Sequence, residues 1–384
     1  MWVSVRTRRL PALMVAQRLG PGPGPGPGPG PGPGPGPGRC RLHSTPGPPW
    51  RVLFFGSDGF AVETLRSLAA SRGAAGGVVA ALEVVALSTR APVKEFADQN
   101  QLPVHLWPLA DLQGRFDVGV VVSFGCLLKE RLIRQFPYGI LNVHPSLLPR
   151  WRGPAPVFHT ILQGDAVTGV TVMQIRPSRF DVGPILHQEI YPVPTDCTAD
   201  QLGSTLATRG AHLLIDTLKT LPERLANKVE QNPMGATSAP KISSSMSWVS
   251  WEDQTCEQID RLFRAIGSRI PLKTIWMGKT IKLLDFVGKC HISLSVCCKD
   301  GWVGFKAVVL KKQLSAADFY NGYLHHRLTR KTSSQPSSQP EHQPEHQPEH
   351  QLEPCLFFSN RTETSECREL SKTKTSNSIR GATQ

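Results

Sequence analysis

The fold turns on one stretch, Leu141-Asn-Val-His-Pro-Ser-Leu-Leu-Pro-Arg-Trp-Arg-Gly153. Asn142 and His144 are one residue apart, and in a β-strand alternate side chains share a face, so the amide and the imidazole point at one spot. Pro145 lacks the next amide donor and stops the strand. Residues 146–149 then run as a loop between two prolines. A strand end that presents an amide and an imidazole to a fixed loop is what a reaction centre needs.

Outward from this point the pattern alternates. Upstream, Arg51-Val-Leu-Phe-Phe-Gly56 reads as a short buried strand, and Ser57 or Asp58 stands where a helix over 60–70 needs its cap. Further strands are expected at 82–87, 104–107, 118–122 and 139–143, with helices at 93–99 and 129–136. Apolar strands alternating with helices predict a Rossmann-like α/β domain, a parallel sheet covered on both faces. Downstream come a helix at 154–164, strands at 170–175 and 185–191 around a loop at Asp181, and an amphipathic helix at 201–221. Residues 225–247 read as a polar linker. A helix and several short strands within 248–326 predict a smaller β-barrel domain. The expected division is therefore 1–48, 49–224, 225–247, 248–326, and a polar, disordered tail over 327–384.

Composition sets limits on function. The net charge is +13, which suits a polyanionic partner such as RNA, although seven arginines precede the first acidic residue, Asp58. Residues 1–20 are Arg-rich and acid-free, the composition of a mitochondrial transit peptide and so of a matrix protein; a plain disordered tail is the alternative. Residues 20–38 alternate Gly and Pro and form neither helix nor ladder. The nine cysteines contain no Cys-x-x-Cys pair, a reduced intracellular pattern that offers no zinc site. His342, His346 and His350 are separated by prolines that prevent a shared helical face, so no metal is expected. No apolar run reaches the roughly 18 residues a membrane span needs.

Three segments carry a resemblance. The run Asn142 to Pro149, the continuation Arg150-Trp-Arg-Gly-Pro-Ala-Pro156, and Phe180-Asp-Val-Gly183 resemble the 10-formyltetrahydrofolate-dependent formyltransferases. Trp151, Arg152 and Gly153 give the longer form of the motif, which resembles the methionyl-tRNA formyltransferases. The likeness runs over about 51–221 and resumes through Ala239-Pro-Lys-Ile242, Trp251, Asp300-Gly-Trp302 and Asp318-Phe-Tyr-Asn-Gly322. That second part resembles a carboxy-terminal barrel of the oligonucleotide-binding kind. The glycinamide ribonucleotide formyltransferases resemble only the first part and use a glycine-rich phosphate loop that is absent here.

The resemblance implies a reaction and roles. Formyl transfer to an amine passes through a tetrahedral adduct bearing O⁻, with 10-formyltetrahydrofolate as co-substrate and initiator methionyl-tRNA as acceptor. Asn142 would donate to that oxygen. His144 would donate to it or shuttle the amine proton. Asp181 would orient the imidazole or take the proton through a water. One such donor is worth about 3 kcal/mol of barrier. The resemblance also implies folate binding by Ser146, Leu147, Leu148, Pro149, Phe124 and Leu127. Arg90, Arg150 and Arg152 are expected to contact tRNA phosphates or to hold the active-site loop. A monomer is expected.

The chain also departs from the family pattern. Ser88-Thr-Arg-Ala-Pro92 is short where bacterial members carry a basic loop. Pro177-Ser-Arg-Phe-Asp181 lacks the glycine that usually stands two before the aspartate. Only Asp285 to Ile292 bridges a stretch that is longer in the family, which predicts a barrel short of a strand and an exposed edge. Two alternatives stay open at this point: a tRNA-binding variant with impaired catalysis, and formyl transfer to a small-molecule amine.

Overall fold

A computed structural model describes residues 47–109, 112, 114–289, 294–324 and 357–358. The expected transit segment, the Gly-Pro stretch from 20 to 38 and the histidine repeat lie outside the described residues, as does the bridge at 290–293.

The first half alternates strand and helix: β1 (Trp50–Gly56), α1 (Gly59–Ser71), β2 (Val79–Ala86), α2 (Pro92–Gln99), β3 (Val104–Leu106), β4 (Val118–Val122), α3 (Glu130–Ile133) and β5 (Ile140–His144). Then come α4 (Pro156–Gln163), β6 (Val167–Gln174), β7 (Ile185–Pro192), α5 (Ala199–Lys219) and α6 (Leu221–Ala226). Seven strands form one sheet in the order β3-β2-β1-β4-β5-β6-β7. The pairs among β1 to β5 are parallel, which fits the near-continuous burial of β1 and β4. The parallel expectation ends there. β5 pairs antiparallel with β6, and β6 with β7, so the sheet is mixed. The cause is local: the chain leaves β5 at His144, stays at that edge through α4, and re-enters the sheet from the same side, with His144 opposite Thr171.

Capping sets the helix starts. Asp58 accepts a hydrogen bond from the Ala61 amide and begins α1. Thr198 and Gln201 make a reciprocal capping box on α5, whose apolar stripe covers the sheet through Leu202, Leu206 and Leu214.

The second half opens with α7 (Cys256–Ile266), capped by a Thr255–Gln258 box. Next come β8 (Leu272–Trp276), β9 (Lys279–Lys289), β10 (Leu294–Cys298), β11 (Gly301–Val309), β12 (Gln313–Ser315), α8 (Ala316–Phe319) and the two-residue β13 (Phe357–Phe358). All described pairs in this sheet are antiparallel, in the order β10-β11-β9-β8-β13 with β12 on β11. Among the described residues no pairing joins β10 to β13, so the expected barrel is an open half-barrel. β9 runs past 284, where the sequence pattern stops, because left-handed Asp285 and Gly288 shift the register opposite Val303 and Phe305. The disordered-tail expectation is corrected at two residues: Phe357 and Phe358 pair with Trp276 and Ile275, and Phe357 is buried near Phe319. One apolar cluster runs from Val52 and Leu214 of the first half to Ile259 and Phe305 of the second.

Candidate active site

β1, β4 and β5 are neighbours, and their carboxyl ends share one edge of the sheet. Crevices outside such ends are where open α/β sheets bind ligands. A cavity of about 540 Å³ lies there, lined by Asn142, His144 and Asp181 together with apolar Val121, Leu127 and Ile175. Asp58, Ser123, Pro145, Pro154 and Pro156 belong both to it and to an adjoining groove of about 650 Å³ that reaches Asp200 and Arg269.

The three expected catalytic groups meet. The Asn142 amide donates to Asp181 Oδ1 at 3.3 Å, and His144 Nδ1 lies 3.7 Å from the same oxygen. The Gly153 amide donates to Asp181 Oδ2 at 2.8 Å. His144 and Asp181 are both buried. His144 Nε2 is 2.9 Å from the carbonyl oxygen of Trp151. A carbonyl only accepts, so Nε2 carries a proton and donates it there. Nδ1 is therefore the nitrogen whose proton can come and go, and it faces the carboxylate. At 3.7 Å the two are too far apart for a direct hydrogen bond.

The loop after β5 is shaped to aim these groups. Trp151 and Asp181 are both left-handed, at φ 62° and 55°. Gly153 has φ 120°, and a Cβ there would lie 2.8 Å from the Ala239 carbonyl oxygen. Ser146 Oγ donates to the Arg150 carbonyl, and the Leu148 amide donates to Thr171 Oγ1. The structure does not bring Ser146, Leu147, Leu148 or Pro149 to the cavity wall. The Ser146 hydroxyl and the backbone of Ser146 and Leu148 are bonded to Arg150, Thr171 and Gln188, so this loop supports the site from behind. Phe124 reaches the cavity, but its ring packs between Phe55 and Trp107, so core packing claims the side chain. Leu127 is exposed at the cavity and offers it apolar surface.

The three arginines differ. Arg150 grips Asp165 with Nε at 2.8 Å and Nη2 at 2.5 Å, and stacks 4.3 Å over the Trp151 ring. Its hydrogen bond to Asp165 holds the guanidinium pKa above the usual value. Arg152 gives Nε and Nη2 to Gln231 Oε1. Both therefore hold loops, the second of the two roles expected for them. The Arg90 guanidinium has no hydrogen-bond or ion-pair partner among the described residues.

Sequence reasoning missed the connector. Residues 225–247 read as a linker, yet the Arg152 amide donates to the Thr237 carbonyl, the Ala239 amide donates back to Arg152, and the Trp151 amide donates to Thr237 Oγ1. Val229 exchanges backbone hydrogen bonds with Ile185. His159 Nε2 is 2.9 Å from the Pro240 carbonyl oxygen, and its ring packs by Trp151. The only available signal was Ala239-Pro-Lys-Ile242, a family motif inside an otherwise polar run.

Comparison with known proteins bears on the fold and the family. Residues 111–218 match the formyl transferase family model, and residues 241–324 match the formyl transferase C-terminal domain. The N-formyltransferase of Helicobacter canadensis, solved with folinic acid and dTDP-3-aminofucose, shares the fold with a TM-score of 0.50 at 18% identity, over 69% of this chain and 99% of that one. The methionyl-tRNA formyltransferase of Roseobacter denitrificans is 35% identical over 71% of this chain and 95% of its own length. The human mitochondrial methionyl-tRNA formyltransferase is 54% identical over 318 residues, 75% of this chain and 82% of that protein. With that identity across both halves, the chain belongs to the methionyl-tRNA formyltransferases.

Proposed function

We propose that the chain transfers the formyl group of 10-formyltetrahydrofolate to the α-amine of initiator methionyl-tRNA in the mitochondrial matrix, and that Asn142, His144 and Asp181 carry the reaction. The observation that bears most weight is the convergence of these three groups on one cavity at the strand edge.

The free amine attacks the formyl carbon, and the carbonyl oxygen becomes an oxyanion. Asn142 offers a neutral N–H donor to that oxygen, the interaction that gains most as charge develops. The amine then sheds a proton, and N10 of the folate takes one as it leaves. His144 Nδ1 is the group suited to pass it, since Nε2 is held by Trp151. Asp181 Oδ1, 3.7 Å from Nδ1, orients the imidazole. The apolar wall at Val121, Leu127 and Ile175 suits a flat heterocycle. The adjoining groove gives the aminoacyl end a path to the same point. Arg90, whose guanidinium has no partner among the described residues, is a cation available to meet a tRNA phosphate. The working unit is a monomer, which light scattering checks.

Purified protein incubated with 10-formyltetrahydrofolate and mitochondrial Met-tRNA is expected to yield formyl-Met-tRNA. Salt-sensitive tRNA binding without product would support a tRNA-binding variant instead. Product from a free amine without tRNA would support a small-molecule acceptor. The intact Asn142–His144–Asp181 geometry favours the enzyme over the first of these.

A further inference from the structure

The catalytic carboxylate belongs to a loop that the connector grips through two side chains: Glu230 accepts from Arg176 Nη2 at 2.6 Å, and Gln231 reaches the Asp181 end. Gln231 Nε2 donates to two carbonyl oxygens of that loop, Asp181 at 3.0 Å and Gly183 at 2.8 Å. Gln231 Oε1 accepts from Arg152 Nε at 3.0 Å and Nη2 at 2.6 Å. A guanidinium only donates, so Arg152 decides which way the amide faces: oxygen toward the arginine, nitrogen toward the loop. The amide then has two hydrogens for two carbonyls and an oxygen for two guanidinium donors, and every group is satisfied.

We infer that Gln231 is a positioning residue for Asp181, a role that rests on the catalytic reading of Asp181 above. The contacts close a ring. Gln231 holds the Asp181 backbone, the Asp181 carboxylate accepts from the Gly153 amide, Gly153 follows Arg152, and Arg152 returns to Gln231. Arg152 is itself fixed on both backbone sides by Thr237 and Ala239. The loop needs such a grip because Asp181 is left-handed without being glycine. It has no slack on the other side either, since a Cβ on Gly183 would come within 1.8 Å of the Gln174 carbonyl oxygen. Releasing the two carbonyls lets the Asp181 backbone relax toward ordinary φ, and the carboxylate leaves the oxygen position that Asn142 and His144 share.

Two substitutions test this in the full-length protein. Gln231→Leu removes donors and acceptor together. Gln231→Glu keeps the acceptor for Arg152 but turns an oxygen toward both carbonyls. Both are expected to lower kcat about 10- to 100-fold, the scale set by an ångström of misplacement, with KM for folate and for Met-tRNA within about two-fold of wild type. In an Asp181→Asn background either change should cost at most about two-fold more, because the effect runs through Asp181. A Gln231→Glu enzyme with wild-type kcat overturns the inference, since Arg152 alone would then suffice. Equal losses with and without the Asp181 carboxylate overturn it too. If Gln231→Leu does not fold, Gln231→Glu carries the test, and failure of both to fold also counts against it, making Gln231 a determinant of the fold. Wild-type turnover in Asp181→Asn itself would instead remove the catalytic reading on which this rests.

Discussion

The loop over 145–153 and the connector over 229–240 lie against each other, yet they hold their shapes by different means. The loop is built by side chains. Ser146 Oγ caps the Arg150 carbonyl, Arg150 and Trp151 Nε1 both grip Asp165, and Arg150 covers the Trp151 ring. The connector is built mainly by backbone. It pairs with Ile185 at one end and with Arg152 at the other, and Glu230, Gln231 and Thr237 make side-chain contacts to the site loops. Asn142 and His144 stand on the strand before the loop and Asp181 on the loop between β6 and β7, and the loop and the connector together fix where these groups stand. Substitutions should therefore abolish chemistry at the loop's strand, cost stability within the loop, and cost little at the connector outside Gln231.

The largest effect is expected at His144. His144→Ala should lower single-turnover formyl transfer by about 10²- to 10⁴-fold while folate and tRNA still bind. Unchanged turnover would remove the imidazole from the mechanism. Next comes the loop's internal anchor. Asp165→Asn leaves Arg150 without its anion and one Trp151 partner weakened, and should lower unfolding free energy by about 2 kcal/mol in urea titration, with turnover reduced less than tenfold. A stable but inactive Asp165→Asn protein would mean that the loop carries chemistry as well as shape. Smaller again is Thr237→Val, which removes the Oγ1 acceptor of the Trp151 amide but keeps the backbone pairing. It should cost about 1 kcal/mol, and a much larger loss would show that the connector depends on side chains as the loop does.

A control lies away from both regions, in the half-barrel. Burial, together with Cys298 and Asp300 nearby, pushes the Cys256 thiol up from its ordinary value to about 12. The folded state thus keeps a proton that the unfolded state loses first. The associated stability is fully present below pH 9 and is lost as pH rises from there toward 12. Thermal melts between pH 8 and 11 should show a falling midpoint that flattens in Cys256→Ser, with formyl transfer at pH 8 unaffected.

The same contrast explains what could be read from the sequence. Asn142 and His144 were legible because strand periodicity places alternate side chains together, and Pro145 marks where the strand stops. Asp181 was legible only through the family motif, since thirty-nine residues separate it from its Asn142 partner. The antiparallel entry of β6 was not legible, because nothing in the apolar run over 170–175 encodes strand direction. Gln231 and Thr237 were hidden for another reason: a polar residue in a polar run carries no pattern, and its meaning lies in whichever backbone group it meets. The pairing of Phe357 with β8 was hidden likewise, an apolar pair inside a tail of low-complexity composition. The reading of 146–149 as cofactor contacts followed the family motif, but the backbone there turns its polar groups toward Arg150, Thr171 and Gln188 rather than toward the cavity.

The most direct test of the central claim is the rate of formyl transfer from 10-formyltetrahydrofolate to mitochondrial Met-tRNA, compared between wild type and Asn142→Ala. Formyl-Met-tRNA from the wild-type protein, with a loss of about 10²- to 10³-fold in the variant, is the predicted result for an oxyanion donor. Equal rates in the two proteins would contradict it, because the strand end at β5 would then hold no part of the chemistry.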